Sequence, residues 1–182
     1  MRLFFLGLFF LATAGSAFGQ ALRVRAERDE GGAVVTQHGT AYVSAAGAIV
    51  TAAHVVDQGD VFVETADGWI RCAVVRTDAD LDLALLKPRI RVESRESGVG
   101  SPKDARRPTA DSKTVCLASV HGKPVAALAA KVQSTLQASI ENFGHGGSGA
   151  PLLRGEQLLG IVTTLDGRFV PAVNVLEFVS RK

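Results

Sequence analysis

The sequence predicts an all-β protein built from two closed or sandwiched units of strands. Most of the chain after residue 19 consists of short apolar and β-branched runs separated by turn residues. Residues 93–112 interrupt this pattern with Ser, Glu, Arg, Lys, Pro, Asp and Gly, a composition that predicts a linker. The segments on either side, 20–92 and 113–182, are similar in size and each has enough apolar residues for a core.

Residues 1–19 have the composition of an export signal. A charged start is followed by the apolar run 3–12 and then by small residues. This run is shorter than the roughly 20 apolar residues that a membrane-spanning helix needs. We expect cleavage near Gln20, with Ala17 or Ala21 as alternative cleavage points and an uncleaved N-terminal anchor as the remaining alternative. Each outcome predicts an exported protein, periplasmic or secreted, and cleavage predicts no stable membrane insertion.

The charge balance argues against nucleic acid as the main partner. The sequence has 20 Lys and Arg against 18 Asp and Glu, a net charge of +2. The leader holds one of the arginines and no acid, so the remainder is closer still to neutrality. A near-neutral chain lacks the positive field that attracts a polyanion.

The strands follow in order along both segments. In the first segment, turn signals separate five predicted strands, at 41–44, 48–53, 61–65, 69–76 and 81–87. In the second segment, strands are predicted at 115–120, 152–153, 158–164 and 169–175. Residues 126–140 have a composition that suits a helix, but strands on both sides favour a strand there as well.

The two cysteines, Cys72 and Cys116, both lie in β-like runs. In an oxidising compartment an even count permits a disulfide. Two buried free thiols would fit the same runs equally well, so both alternatives stand. No C-x-x-C motif or paired His and Cys spacing indicates zinc, and we expect neither a metal nor another cofactor.

The strongest chemical signal is G-H-G-G-S-G-A-P, residues 144–151, which surrounds Ser148 with small residues. A serine hydroxyl becomes a useful nucleophile only when a base removes its proton and donors stabilise the resulting negative charge. Glycines allow consecutive backbone N–H groups to point at one spot. The alternative interpretation of this segment is a flexible turn.

Two other segments offer the base and an orienting acid. His54 lies in T-A-A-H-V-V, and histidine can accept and return a proton near neutral pH. Asp82 opens the apolar part of D-A-D-L-D-L-A-L-L-K, where a carboxylate needs a partner such as a histidine N–H. The alternatives are a packed core histidine, a polar turn made by the aspartates, and Asp80 as the orienting acid.

Together these segments resemble the chymotrypsin-like (trypsin-like) serine peptidases, and most closely the HtrA (Deg) type of protease core without a PDZ domain. The matching segments are G-T-A-Y-V-S-A-A-G-A-I-V-T-A-A-H-V-V, V-E-T-A-D-G-W-I-R-C-A-V-V-R-T-D-A-D-L-D-L-A-L-L-K, G-G-S-G-A-P-L-L and L-L-G-I-V-T-T. The resemblance covers nearly all of the chain after the leader. It implies two six-stranded antiparallel β-barrels, in 20–92 and 113–182, with the strands of the first starting near Ala33 and the active site in the cleft between them.

The resemblance also implies roles for individual residues. Ser148 would attack a peptide carbonyl, His54 would transfer the proton, and Asp82 would orient the imidazole. The oxyanion hole would be formed by the backbone N–H groups of Gly146 and Ser148. Substrate-binding positions would be Asn142, Thr163, Thr164 and Leu165. The hydroxyl of Thr163 would also support the aspartate.

The implied function is an exported serine endopeptidase that hydrolyses peptide bonds of protein or peptide substrates through an acyl-enzyme. The alternative is a catalytically silent protein of the same fold that binds peptides or proteins. Gly147 stands where the family usually has Asp or Asn, and the extra glycines predict a loose oxyanion loop in the absence of substrate. Leu165 would narrow the specificity pocket, at whose base we expect no acid. We therefore expect a small or aliphatic substrate residue at P1, just before the scissile bond.

Overall fold

Strands make up most of residues 20–89 and 113–181, which are described in a computed structural model. The first range contains β1 (Gln20–Glu30), β2 (Ala33–Val43), β3 (Ile49–Ala52), α1 (Ala53–Val56), β4 (Asp60–Thr65), β5 (Gly68–Asp78) and β6 (Leu83–Pro88). The second contains β7 (Thr114–Ala118), β8 (Ala126–Val132), β9 (Ala138–Ile140), β10 (Ala150–Arg154), β11 (Gln157–Val162), β12 (Phe169–Pro171) and α2 (Ala172–Ser180). The predicted leader and the predicted linker both lie outside the described residues.

The first six strands form a closed antiparallel barrel in the order β1-β2-β3-β6-β5-β4. It closes because β1 pairs with β2 on one side and with β4 on the other. Alternate side chains of the strands fill its interior, among them Val24 and Val63, which are fully buried. The barrel therefore starts at Gln20, ahead of the expected start near Ala33. Strand β1 was not predicted because charged residues alternate with only a few small apolar ones.

The other six strands form a curled sheet in the order β12-β11-β10-β7-β8-β9. Its two edge strands meet at one end, where Gln137 forms an antiparallel bridge with Arg168. Beside this bridge, the N–H of Ala138 donates to the carbonyl of Gly167 at 2.9 Å. The all-β prediction with two six-stranded units is confirmed, although the second unit is a half-barrel whose edges join at one end only.

The strand predicted for 169–175 is wrong in its second half. Only Phe169–Pro171 is extended, and the chain then forms helix α2. Val175 and Phe178 lie on one face of this helix and are buried, whereas Val173 and Leu176 face solvent. The valines favoured a strand in the sequence, but the spacing of the buried residues is helical. Neither described helix is long and apolar enough to cross a membrane.

A third core lies between the two strand units. Val50 and Leu83 come from the N-terminal barrel, and Ile161 comes from the C-terminal sheet. Val170 of β12 and the buried side chains of α2, Val175 and Phe178, complete the cluster. The C-terminal helix therefore holds the two halves of the cleft against each other.

The disulfide alternative for Cys72 and Cys116 is wrong, because both cysteines are free thiols. Cys72 packs in the core of the N-terminal barrel, and Cys116 packs in the core of the C-terminal sheet. Burial raises the pKa of Cys72 to about 11 and that of Cys116 to about 12. Both thiols therefore stay protonated at neutral pH and act as small apolar groups.

Candidate active site

Strand pairing brings His54 and Asp82 together. Ala52 at the end of β3 is the register partner of Leu83 at the start of β6, so the residues just beyond this pair become neighbours. The Nδ1 atom of His54 lies 2.7 Å from Oδ2 of Asp82, and the backbone N–H of His54 donates to Oδ1 at 3.0 Å. The carboxylate therefore holds both the ring and the backbone of the histidine.

The backbone of Asp82 is adapted to this position. Its φ of 51° lies in the left-handed region, which Asp tolerates better than most residues. Its carbonyl accepts a hydrogen bond from the N–H of Ala53 at 3.0 Å. Asp80, the alternative orienting acid, lies exposed in the preceding turn. The structure thus places Asp82, and not Asp80, against the imidazole.

The pKa of His54 is raised above its ordinary value. The hydrogen bond with Asp82 is the main cause, and the charges of Asp82 and Asp57 add to it. Partial burial of the ring acts in the opposite direction. With Nδ1 donating to the carboxylate, Nε2 is left to accept a proton.

Ser148 is nearly buried and lies just before β10, in the C-terminal half of the cleft. It lines one pocket together with His54 and Asp82 from the N-terminal half. The other residues that line this pocket are Thr163, Thr164, Leu165, Asp166 and Arg168. Within the described ranges no hydrogen bond joins the serine hydroxyl to His54. Catalytic hydrogen bonds are often longer without substrate.

Two peptide planes of the serine loop are fixed through their carbonyls. The carbonyl of His145 accepts a hydrogen bond from the N–H of His121 at 2.6 Å, and that of Gly147 accepts one from Ala150 at 3.0 Å. In a trans peptide the N–H points away from the carbonyl. The N–H groups of Gly146 and Ser148 therefore point in fixed directions, opposite to the carbonyls of His145 and Gly147. Neither N–H group has an acceptor in the part of the chain that the structure describes.

Thr40 is a buried residue of this site that sequence reasoning missed. Its hydroxyl donates to the carbonyl of Gly146 at 2.8 Å and accepts from the N–H of Ser119 at 2.9 Å. Its own N–H donates to the carbonyl of Ser148 at 2.8 Å. The available signal in the sequence was the position of Thr40 directly before the predicted strand 41–44, because a hydroxyl that is buried there requires hydrogen-bond partners.

The extra glycines were expected to loosen the oxyanion loop, but in the structure they are packed closely against their neighbours. A Cβ added at Gly147 would strike the ring of Phe143, and one added at Gly149 would strike the carbonyl of Thr40. At Gly146 the added atom would lie 2.5 Å from the carbonyl oxygen of Ser119. These glycines permit close packing of the loop, which is also held by the hydrogen bonds just described.

The expected substrate-binding residues divide into two groups. Thr163, Thr164 and Leu165 line the pocket beside Ser148. Asn142 does not line it: it lies exposed in a turn with φ of 56°. The expected support of Asp82 by Thr163 is also absent, because no hydrogen bond between them occurs among the described residues.

One acid lies on the wall of this pocket, whereas the sequence prediction concerned only the pocket base. Asp166 is part of its wall and lies 3.3 Å from the guanidinium of Arg168. A hydrogen bond from the hydroxyl of Thr164 is the main cause that lowers the pKa of Asp166. The carboxylate is therefore charged and paired with a cation. Across residues 20–89 and 113–181, no three His, Cys, Asp or Glu side chains group as metal ligands.

Comparison with known proteins yields structural matches only. No family model and no curated protein matches the chain. The Rv3671c protease from M. tuberculosis in its active form is 20% identical, with a TM-score of 0.63 over 86% of this chain and 78% of that one. Its inactive form gives 20% identity and a TM-score of 0.61 over 86% and 85%. A serine-to-alanine mutant in the inactive form gives 20% and 0.63 over 88% and 85%.

The fold is chymotrypsin-like. The closed barrel, the curled six-stranded sheet and the cleft between them correspond to that architecture. At 20% identity the likeness establishes the fold alone.

Proposed function

We propose that this protein is a serine endopeptidase that hydrolyses peptide bonds through an acyl-enzyme. The contact between Nδ1 of His54 and Oδ2 of Asp82, 2.7 Å long and in the same pocket as Ser148, carries this proposal. The N–H groups of Gly146 and Ser148, which have no acceptor among the described residues, support it, because an oxyanion requires donors of this kind.

In the proposed mechanism, Nε2 of His54 takes the proton from Oγ of Ser148 as the oxygen attacks the substrate carbonyl. The carbonyl oxygen becomes negative and accepts hydrogen bonds from the N–H groups of Gly146 and Ser148. Asp82 stabilises the imidazolium, which then gives its proton to the leaving amine. Water repeats these steps on the acyl-enzyme and releases the acid product.

Labelling with a fluorophosphonate probe tests this proposal. The probe reacts with an activated serine, so we expect wild-type protein to be labelled and Ser148→Ala to remain unlabelled. His54→Ala should slow labelling by about three orders of magnitude or more, because the hydroxyl loses its base. Circular dichroism of each variant separates loss of chemistry from loss of fold. Equal labelling of wild type and Ser148→Ala would contradict the proposal.

The second candidate is a catalytically silent protein of the same fold that binds peptides. The lack of a hydrogen bond between Ser148 and His54 within the described residues favours this candidate. A folded wild-type protein that resists the probe yet binds peptides would support it.

For localisation, we propose export to the periplasm or the exterior. The support is the sequence of residues 1–19, with its charged start, short apolar run and small-residue end.

A further inference from the structure

All four histidines of the chain line one cleft. The second pocket beside Ser148 is bordered by His38, His54, His121 and His145. They come from both halves of the molecule: one from β2, one from α1, and two from the loops that follow β7 and β9. Only His54 has a place in the proposed mechanism, which leaves three imidazoles without a role.

The loops around these imidazoles are closely fitted. A Cβ added at Gly144 would lie 3.3 Å from Nε2 of His121, and one added at Gly122 would lie within 3.8 Å of three atoms of the His38 ring. The rings of His121 and His145 are 6.3 Å apart between centroids. The hydrogen bond from the backbone N–H of His121 to the carbonyl of His145 connects the two loops.

The chemistry of this pocket favours a negatively charged ligand. Its other lining residues are neutral: Thr36, Gln37, Gly146, Ser148 and Leu165. Imidazole donates hydrogen bonds in its neutral form and becomes a cation below about pH 6.5 in an unperturbed setting. The neighbouring pocket differs, because it contains two carboxylates and an arginine.

The charged groups around the four histidines come from several elements. Arg25 of β1 is the register partner of His38 and forms an ion pair with Glu27 at 3.1 Å. Asp82 and Asp57 act on His54. Arg23 and Glu64 form an ion pair, and the arginine also donates to the carbonyl of Gly122 behind the cleft. Lys123 follows in the same loop and is exposed. No carboxylate lines the described wall of the pocket near His38, His121 or His145.

We propose that this histidine cleft binds an acidic side chain of a polypeptide substrate, next to the scissile bond on the leaving-group side. The proposal rests on the proposed function for the direction of the substrate. The family resemblance places the acyl side of the substrate around Thr164, which lines only the other pocket, whereas Leu165 borders both pockets. The histidine cleft, which meets that pocket at His54, Ser148 and Leu165, is then left for the residues that follow the scissile bond.

The test measures binding to Ser148→Ala, which requires no turnover. Three fluorescein-labelled Ala-rich peptides each contain one Val: the first has Asp-Asp after it, the second Asn-Asn after it, and the third Asp-Asp before it. At about pH 6 we expect the first to bind about tenfold more tightly than the second, the gain expected from a charge-assisted hydrogen bond. At about pH 8 the advantage should fall below about twofold.

Variants of the histidines locate the effect. Adding His121→Gln and His145→Gln to Ser148→Ala should bring the Asp-Asp to Asn-Asn ratio close to one at both pH values. Arg154→Gln is the matched control, because it removes a positive charge from an exposed site at the far end of β10. In this control the ratio should remain about tenfold at about pH 6.

Three results would overturn the proposal: equal binding of the first two peptides at both pH values, tightest binding of the third peptide, or a preference that survives the double histidine substitution. The fluorophosphonate experiment separates this outcome from failure of the proposed function. If wild type is not labelled but Ser148→Ala still shows the histidine-dependent preference, the proposed acidic-ligand site is supported and the proposed enzyme activity is contradicted.

Discussion

Asp57 affects His54 through its charge, although no hydrogen bond connects the two side chains among the described residues. It lies exposed just after α1, and its carboxylate raises the pKa of the imidazole. His54 must be neutral to accept a proton, so a raised pKa moves the loss of activity on acidification to a higher pH.

We therefore expect Asp57→Asn to lower the pKa of His54 and to shift the acidic limb of the activity profile to lower pH. The measurement is the rate of fluorophosphonate labelling between about pH 5 and about pH 8. Asp67→Asn removes the same charge from an exposed turn between β4 and β5 and should leave the limb in place. A limb that moves to higher pH in Asp57→Asn would contradict the electrostatic explanation.

At individual positions, the sequence was informative where chemistry restricts the residue type. His54, Asp82 and Ser148 stood out because a base, an acid and a nucleophile have few substitutes, and the structure brings all three to one pocket. Thr40 and Asp166 did not stand out, because their roles depend on neighbours that are remote in sequence. Asn142 was misplaced for the same reason, since only the structure shows that it lies exposed in a turn and outside the lining of the pocket.

Among the structural elements, β2 connects the N-terminal barrel to the serine loop through Thr40. The hydroxyl of this residue donates to the carbonyl of Gly146 and accepts from the N–H of Ser119, and all three residues are buried. Loss of the hydroxyl would leave a buried carbonyl and a buried N–H without partners, at a cost of about 1–3 kcal/mol.

We expect Thr40→Val, which preserves the side-chain shape, to reduce the labelling rate of Ser148 by about tenfold or more because the oxyanion loop shifts. Thr40→Ser keeps the hydroxyl and should retain most of the wild-type rate. Thermal melting of both variants shows whether the loss exceeds the change in stability. A Thr40→Val protein that melts earlier but is labelled as fast as wild type would limit Thr40 to a structural role.

The elements themselves were predictable to different degrees. The hairpin before His54 and the strands of β4, β5 and β11 carry apolar runs between turn residues, and the sequence located them. Strand β1 was missed because most of its residues are polar and only Val24 and Ala26 are buried. The start of helix α2 was read as a strand, because valine favours strands, but the tertiary packing of Val175 and Phe178 in the core between the two halves favours the helix.

For the molecule as a whole, the cleft depends on the contact between its halves. His54 and Asp82 belong to the N-terminal barrel, whereas Ser148 belongs to the C-terminal sheet. Phe178 of α2 is fully buried between the two halves. Arg76 of β5 lies over its ring, 4.8 Å from the centroid, and donates to the carbonyls of Phe178 and Arg181 at the end of the helix.

Phe178→Ala should therefore affect stability and activity together. Removing a fully buried aromatic ring costs about 3–5 kcal/mol, and here the cavity would open between the halves that position the base and the nucleophile. We expect a lower urea midpoint and a large loss of labelling at temperatures where each half remains folded. Leu176→Ala, on the exposed face of the same helix, should change stability by less than about 0.5 kcal/mol and preserve labelling. An unchanged midpoint in Phe178→Ala would show that the halves are held together without the helix.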